Sequence, residues 1–298
     1  MFTSLMQYIR VILTVAGLMG LTLLFYHGAK TVIHKFSPLN IRHKGLRLCL
    51  TLMCIILSIS TFLGLSSIYV YYGFGHQPDI YRHGSRDLPM VSLTFDDGPS
   101  PDFTPEILEI LKKYHVSAAF FLIGSNVEKY PEIALKILED GHEIGNHTQN
   151  HRNIPTLSNT DLHQEILEAA VAITDATNQY PDFIRPPRGM YDGRFRRLTA
   201  LLGQQVVLWT VSSKDWQKGV TAENIVKNVV NHIKNGDIIL FHDSGALFGK
   251  EGGDRSATVK ALPTIIEKIQ QKGYQIVPLK TLLNEEAQNE PLSSILQD

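Results

Sequence analysis

From residue 90 to residue 277 the chain alternates short apolar runs with stretches of helical periodicity, and few architectures accept that alternation. The apolar runs fall at residues 91–95, 118–123, 143–145, 183–185, 206–209, 238–241 and 275–277. Each is too short for a stable helix and has the length of a buried strand. Between the first two, Thr104, Pro105 and Glu106 supply a cap, a proline at the first helical position and an acid in the first turn, and Ile107, Leu108, Ile110 and Leu111 then share one face. Residues 131–140 read as a helix stopped by Gly141, and Ser158–Asp161 resembles a capping box before a helix reaching about Thr177. Two more helices are expected over 221–234 and from about Leu262 to Lys272, with Gly236 and Gly273 just beyond their ends. Seven strands separated by helices predict an α/β fold with a parallel sheet, doubly wound or barrel-like.

The segment before this pattern is of a different kind. Residues 1–72 carry six Lys/Arg and no acid, which leaves 22 of the 28 basic side chains against all 29 acidic ones on residues 73–298. Residues 48–72 hold no charge, enough to cross a hydrocarbon layer of about 30 Å at about 1.5 Å per residue. A shorter run, 11–26, extends to about 8–29 if its flanks are counted. Tyr8, Tyr26, Tyr69, Tyr71 and Tyr72 stand near the ends of these runs, where amphipathic rings favour the interface. The reading is a two-helix transmembrane hairpin with a basic cytoplasmic linker, followed by a tether over 73–87, a folded domain over 88–283 outside the membrane, and a polar tail over 284–298. The net charge of residues 73–298 is negative and forms no basic stripe, which excludes nucleic acid as a partner. Both cysteines, Cys49 and Cys54, lie in the second apolar run, so a metal in the folded domain would have to be held by His and carboxylates.

Those residue types fall at the predicted strand ends. Asp96 and Asp97 follow the first strand, His147 the third, and Arg185 ends the fourth. Asp215 lies just beyond the fifth, and His242 ends the sixth. Parallel α/β folds gather their sites at the carboxyl ends of strands, so these residues are expected on one rim. His147 and His151, four apart, would face the same way on a helical turn and, with one carboxylate, leave positions open for water and substrate. Each pattern alone is weak, since His-x-x-x-His and Asp-Asp-Gly-Pro are common in surface turns; their coincidence in one frame is not. His115 and His142 read as helix-end residues, His163 and His232 as solvated, and residues 250–255 as a loop at the rim.

Taken in order, Thr94-Phe95-Asp96-Asp97-Gly98-Pro99, His147–His151, Arg185-Pro186-Pro187-Arg188-Gly189, Asp215-Trp216 and Leu240-Phe241-His242 resemble the five motifs of the polysaccharide deacetylase family (NodB homology, carbohydrate esterase family four). The resemblance spans residues 88–283 and implies a distorted (β/α) barrel of about seven parallel strands. It implies that Asp97, His147 and His151 bind a divalent metal, most often zinc, with cobalt, nickel or manganese as alternatives. Asp96 would be the catalytic base, oriented by Arg185, and a backbone N–H of the 185–189 segment would meet the oxyanion. His242, paired with Asp215, would protonate the departing amine. Trp216 and Leu240 would wall a slot for the acetyl methyl, with Pro187 and Arg188 beside it. Two positions depart from the family pattern: Arg188 stands where tyrosine is usual, and Ser212 where an aspartate precedes Asp215. The implied activity is removal of N-acetyl groups from an extracytoplasmic glycan of a bacterial envelope, with peptidoglycan GlcNAc first, and an exopolysaccharide or chitooligosaccharide as alternatives. A non-catalytic glycan-binding protein on the same fold is the competing expectation. Protein partners are left unspecified.

Overall fold

The computed structural model describes residues 79–245 and 253–284, residue 77, and positions 20, 27, 52–53, 56–57 and 59–61. Apart from those positions, the two apolar segments, their linker, residues 73–76 and 78 of the tether, residues 250–252 of the rim loop and the tail beyond 284 lie outside the described residues. The chain divides into two units, residues 1–76 and 77–298. In the first, the described positions are helical, and Leu52, Met53, Ile56, Leu57 and Ile59 are exposed. Among the described residues no helix is long and apolar enough to cross a membrane.

The second unit is a curled parallel sheet wrapped by helices. Its strands are β1 (Ile80–Tyr81), β2 (Met90–Asp96), β3 (Ala119–Leu122), β4 (Glu143–Asn146), β5 (Phe183–Ile184), β6 (Gln205–Val207), β7 (Val211–Ser212), β8 (Ile238–His242) and β9 (Gln275–Ile276). They pair in the order β1-β6-β5-β4-β3-β2-β8-β7, all parallel, with β9 on the start of β2. This is the half-barrel expected of a distorted (β/α) barrel, left open between β1 and β7. The helices are α1 (Thr104–Lys113), α2 (Gly124–Lys129), α3 (Pro131–Glu139), α4 (Asn159–Thr177), α5 (Gly193–Leu201), α6 (Ala222–Val230), α7 (Ser256–Gln271) and α8 (Leu279–Leu283).

The two-residue period of the strands sorts their side chains onto two faces. Val91, Leu93, Phe95, Phe120, Leu122, Ile239 and Phe241 pack outward against Ile107, Leu108, Leu111, Ile225, Ile265 and Ile266 of the helices. Phe95 stacks on Phe120 and Phe241 at 5.0 and 5.4 Å between ring centres, which locks the three central strands together. Met90, Ala119, Phe121, Phe183, Val207 and Ile238 point to the interior, closed below by Leu279, Leu282 and Leu283. Gly145 is required there: a Cβ on it would stand 2.5 Å from the Phe121 ring. The register pairs Asp96 with both Phe121 and His242, and Asn146 with both Leu122 and Ile184, so the strands end at one level.

Among the described residues nine strands stand where seven were expected. β1 lies inside the stretch read as a tether: Ile80 is buried among Ile184, Val206 and Leu208, so the folded unit begins before residue 88. The expected strand over 206–209 ends at Val207, and β7 follows as a separate pair of residues. Helix α7 starts at Ser256 rather than Leu262, running through Pro263. Helix α5 was not anticipated, because its three arginines hide an apolar face of Phe195 and Leu198; it is capped by Asp192, which accepts from the N–H groups of Arg194 and Phe195.

Candidate active site

Asp96, at the end of β2, faces the interior with Thr94 and is buried. Arg185, the residue after β5, is fully buried opposite it. Its Nη1 donates to Asp96 Oδ1 at 2.6 Å and to Thr94 Oγ1 at 3.0 Å, its Nε to the Val207 carbonyl and its Nη2 to the Leu208 carbonyl, both at 3.1 Å. The guanidinium lies 3.9 Å over the Phe121 ring. A buried arginine is tolerated only when its donors are used and its charge matched, and here both hold. The result is a carboxylate with a fixed orientation and a permanent counter-ion.

Asp97 turns the chain out of β2 with φ 77°, and Thr148 (69°), His151 (54°), Arg188 (58°) and Lys214 (56°) share this left-handed conformation around the same rim. For residues other than glycine it is strained, and it re-aims the side chains. The two histidines therefore converge through a loop, not the helical turn that their spacing suggested. His147 Nε2 and His151 Nε2 each lie 3.5 Å from Asp97 Oδ1, and one ligand atom from each of the three residues falls within 4.8 Å of the others. His147 Nδ1 donates to the Arg185 carbonyl at 2.8 Å, which leaves its Nε2 lone pair aimed at Asp97. Burial, and next the neighbouring His147, push His151 down to about 4, so it is a neutral ligand at pH 7. Burial alone would raise the Asp97 carboxyl, but His147, His242 and His151 outweigh it and hold it well below the usual carboxylate range. Asp97 Oδ1 is nonetheless buried without a hydrogen-bond partner. A buried, ionised oxygen with no donor, facing two imidazole nitrogens, fits a divalent cation.

The loop bearing the histidines is clamped from three sides. Asn146 Oδ1 accepts from the Thr148 N–H at 2.8 Å, and the Gly124 and Ser125 N–H groups, opening α2, donate to the Thr148 and Gln149 carbonyls. Glu165 of α4, buried, accepts from the Asn150 N–H at 2.9 Å and its side-chain amide at 3.1 Å.

Across the rim, Asp215 Oδ1 lies 2.7 Å from His242 Nδ1, and its Oδ2 accepts from the His242 N–H at 2.8 Å and from Thr258 Oγ1 at 3.0 Å. Burial opposes the imidazolium, yet Asp215, with Asp97 and Asp96 behind it, raises His242 to about 9. Burial likewise opposes ionisation of Asp215, but His242 and Arg255 hold its pKa below the usual value. The pair is an imidazolium–carboxylate couple with His242 Nε2 free to act as an acid.

The seven predicted catalytic and metal residues thus meet on one rim. Leu240, two residues before His242 on the same strand face, is buried; Pro187 is buried in the turn Pro187–Gly189; Trp216 and Arg188 are exposed. Sequence reasoning missed Thr94, Glu165, Thr258 and Asp243. Asp243 is fully buried under Gly98, accepts from Thr104 Oγ1 at 2.6 Å, and is raised to about 7 by burial and then by Asp97. Its place directly after His242 was the available signal.

The polysaccharide deacetylase family model matches residues 83–207. A peptidoglycan-N-acetylglucosamine deacetylase of Bacillus cereus is 38% identical over 197 residues, 65% of this chain and 88% of the relative. A chitooligosaccharide deacetylase of Bradyrhizobium is 37% identical over 199 residues, 64% of this chain and 90% of the relative. Among solved structures, the Bc1960 peptidoglycan N-acetylglucosamine deacetylase superposes with a TM-score of 0.64 at 35% identity, covering 69% of this chain and 92% of that one. A Bacillus anthracis pseudoenzyme of carbohydrate esterase family four does so with the same TM-score at 30% identity, over 70% of each chain. Fold alone therefore does not separate active from inactive relatives; the identity to curated deacetylases over most of their length shows that this chain is a member of the polysaccharide deacetylase family.

Proposed function

We propose that the protein hydrolyses N-acetyl groups on GlcNAc-type residues of an envelope glycan, peptidoglycan before chitooligosaccharide, with a divalent cation, zinc first, held by Asp97, His147 and His151. The observation that carries this reading is the fixed Asp96–Arg185 pair facing the orphaned Asp97 oxygen, with the Asp215–His242 couple across from it. The cation, when bound, supplies a Lewis acid that polarises the acetamide carbonyl and acidifies water. Asp96 takes the proton of the attacking water, and Arg185 keeps the carboxylate turned toward it. In the following turn the Gly189 and Met190 N–H groups are used by the Pro186 and Pro187 carbonyls, and the prolines have none, which leaves the Arg188 N–H to meet the developing oxyanion. His242 gives its proton to the nitrogen as the C–N bond breaks, releasing acetate and a free amine.

The uncharged run over 48–72 and the basic stretch before it support an anchor in a bacterial membrane with the catalytic unit outside. The exposed apolar side chains at 52–59 agree with a lipid-facing helix.

The test is acetate release by the full-length protein in detergent, offered peptidoglycan and chitooligosaccharides, metal-stripped and then reloaded with zinc, cobalt, nickel or manganese. Release that needs the metal and vanishes in Asp96→Asn is the expected result. No release from either polymer by a folded, metal-loaded protein would overturn the reading and favour a glycan-binding role.

A further inference from the structure

The mouth of the site holds a cation that no described carboxylate neutralises. Arg188 is exposed in the turn Pro187–Gly189. The turn is stiff. Two prolines precede Arg188, the Gly189 and Met190 N–H groups bond back to Pro186 and Pro187 at 2.9 and 3.0 Å, and Gly189 lies so close to Trp209 that a Cβ would stand 2.9 Å from its ring. The guanidinium is thus presented from a rigid base. Its Nη1 makes one long hydrogen bond, 3.4 Å, to the carbonyl of His151, which places it directly beside the metal-ligand set.

Most neighbouring cations are matched; Lys214, exposed on the rim, is not among them, and the buried Arg255 spends its donors on the Ser244 and Gly245 carbonyls. Arg185 is matched by Asp96, His242 by Asp215, Arg152 by Asp161, Arg194 by Asp192 and Arg196 by Asp79. Arg188 forms no ion pair among the described residues, although the residues from 73 onward carry more acids than bases. An arginine fork matches a carboxylate with two parallel hydrogen bonds, and unspent donors at the mouth of a cleft select for such a ligand.

We propose that Arg188 reads a carboxylate on the sugar adjoining the acetamide, so that the preferred substrate is an anionic N-acetylated glycan rather than a neutral one. The inference rests on the deacetylase reading above and adds the charge of the substrate to it. The carboxylate has two possible sources, a lactyl ether on a neighbouring amino sugar or a neighbouring uronic acid.

The experiment compares kcat/KM of the full-length, metal-loaded protein on three tetrasaccharides. These are neutral N-acetylchitotetraose, peptide-free peptidoglycan tetrasaccharide with free lactyl carboxylates, and a hyaluronan tetrasaccharide with uronates. One anionic substrate should exceed the neutral one by about tenfold, the worth of one hydrogen bond to a charged group, and the faster of the two names the source. The preference should lie mainly in KM, shrink between about 0.05 and about 0.5 M salt, collapse in Arg188→Gln and survive in part in Arg188→Lys. Equal efficiency on neutral and anionic substrates, or a preference that persists in Arg188→Gln, overturns the proposal while leaving the deacetylase intact. Failure on all three substrates instead removes the deacetylase reading, and this inference with it.

Discussion

Replacing Asp215 by Asn keeps the shape of the side chain that faces His242 and removes its charge. His242 stands at about 9 against an ordinary 6.5, because Asp215 at 2.7 Å outweighs the burial that works against the imidazolium. That displacement, roughly 2.5 units, is about 3 kcal/mol of preference for the protonated ring. In Asp215→Asn burial remains and its main opponent is gone, so His242 should fall to about its ordinary 6.5 or below. At pH 7.5 the imidazolium fraction then drops from nearly all to about a tenth, and acetate release should drop at least in proportion. Histidine NMR titration of the metal-free protein reads the shift directly. In the metal-loaded enzyme the alkaline limb of kcat should lie below about 9, since a nearby dication disfavours the imidazolium, and should move toward acid in the variant.

Stability gives a second readout. The folded pKa lies above the unfolded one, so the pair's contribution is fully present below about pH 6.5 and is lost as pH rises through about 9. The urea-unfolding difference between wild type and Asp215→Asn should accordingly shrink by about 3 kcal/mol between about pH 6 and about pH 10. A variant His242 still titrating near 9, or an alkaline limb that does not move, would refute the assignment of Asp215 as the source of the shift.

Asp96→Asn should lower kcat by about a hundred- to ten-thousandfold while metal affinity stays near wild type; a smaller loss in an acetate assay would remove Asp96 as the base. Arg185→Met should cost about 3–5 kcal/mol in urea unfolding, because it strands a buried carboxylate and two main-chain carbonyls, and a cost under about 1 kcal/mol would mean those contacts are dispensable. Glu165→Gln should weaken zinc binding about tenfold or more in a chelator competition, since Glu165 sets the loop that carries both histidines; unchanged affinity would show that the other clamps suffice.

The chemistry of this protein was legible because it is written in short contiguous motifs at strand ends. Asp96–Asp97 follows an apolar run, and parallel pairing then dictates which rim it occupies. Glu165 and Thr258 were not legible, since what distinguishes them from other polar helix residues is a partner 15 or 43 positions away. Thr94 looked like a strand filler, although its hydroxyl accepts from Arg185 and donates to the Ile239 carbonyl. β1 escaped because its two residues stand in a polar, irregular stretch, and β7 because it follows β6 after only three residues, too close to be read as a strand of its own. The helical reading of His147–His151 failed for a different reason: residue spacing is blind to backbone handedness, and Thr148 and His151 are left-handed.

That handedness also bears on anyone wishing to harden the protein against heat. Exchanging a left-handed residue for glycine relieves up to about 1 kcal/mol of backbone strain, an attractive and easily scanned class of change. Seven described non-glycine residues qualify, and five of them are Asp97, Thr148, His151, Arg188 and Lys214. An automated search for stabilising substitutions would therefore be drawn to the catalytic rim and would dismantle it. Only His115, just past the end of α1, and Asn178, the left-handed cap of α4, offer the same gain away from the chemistry.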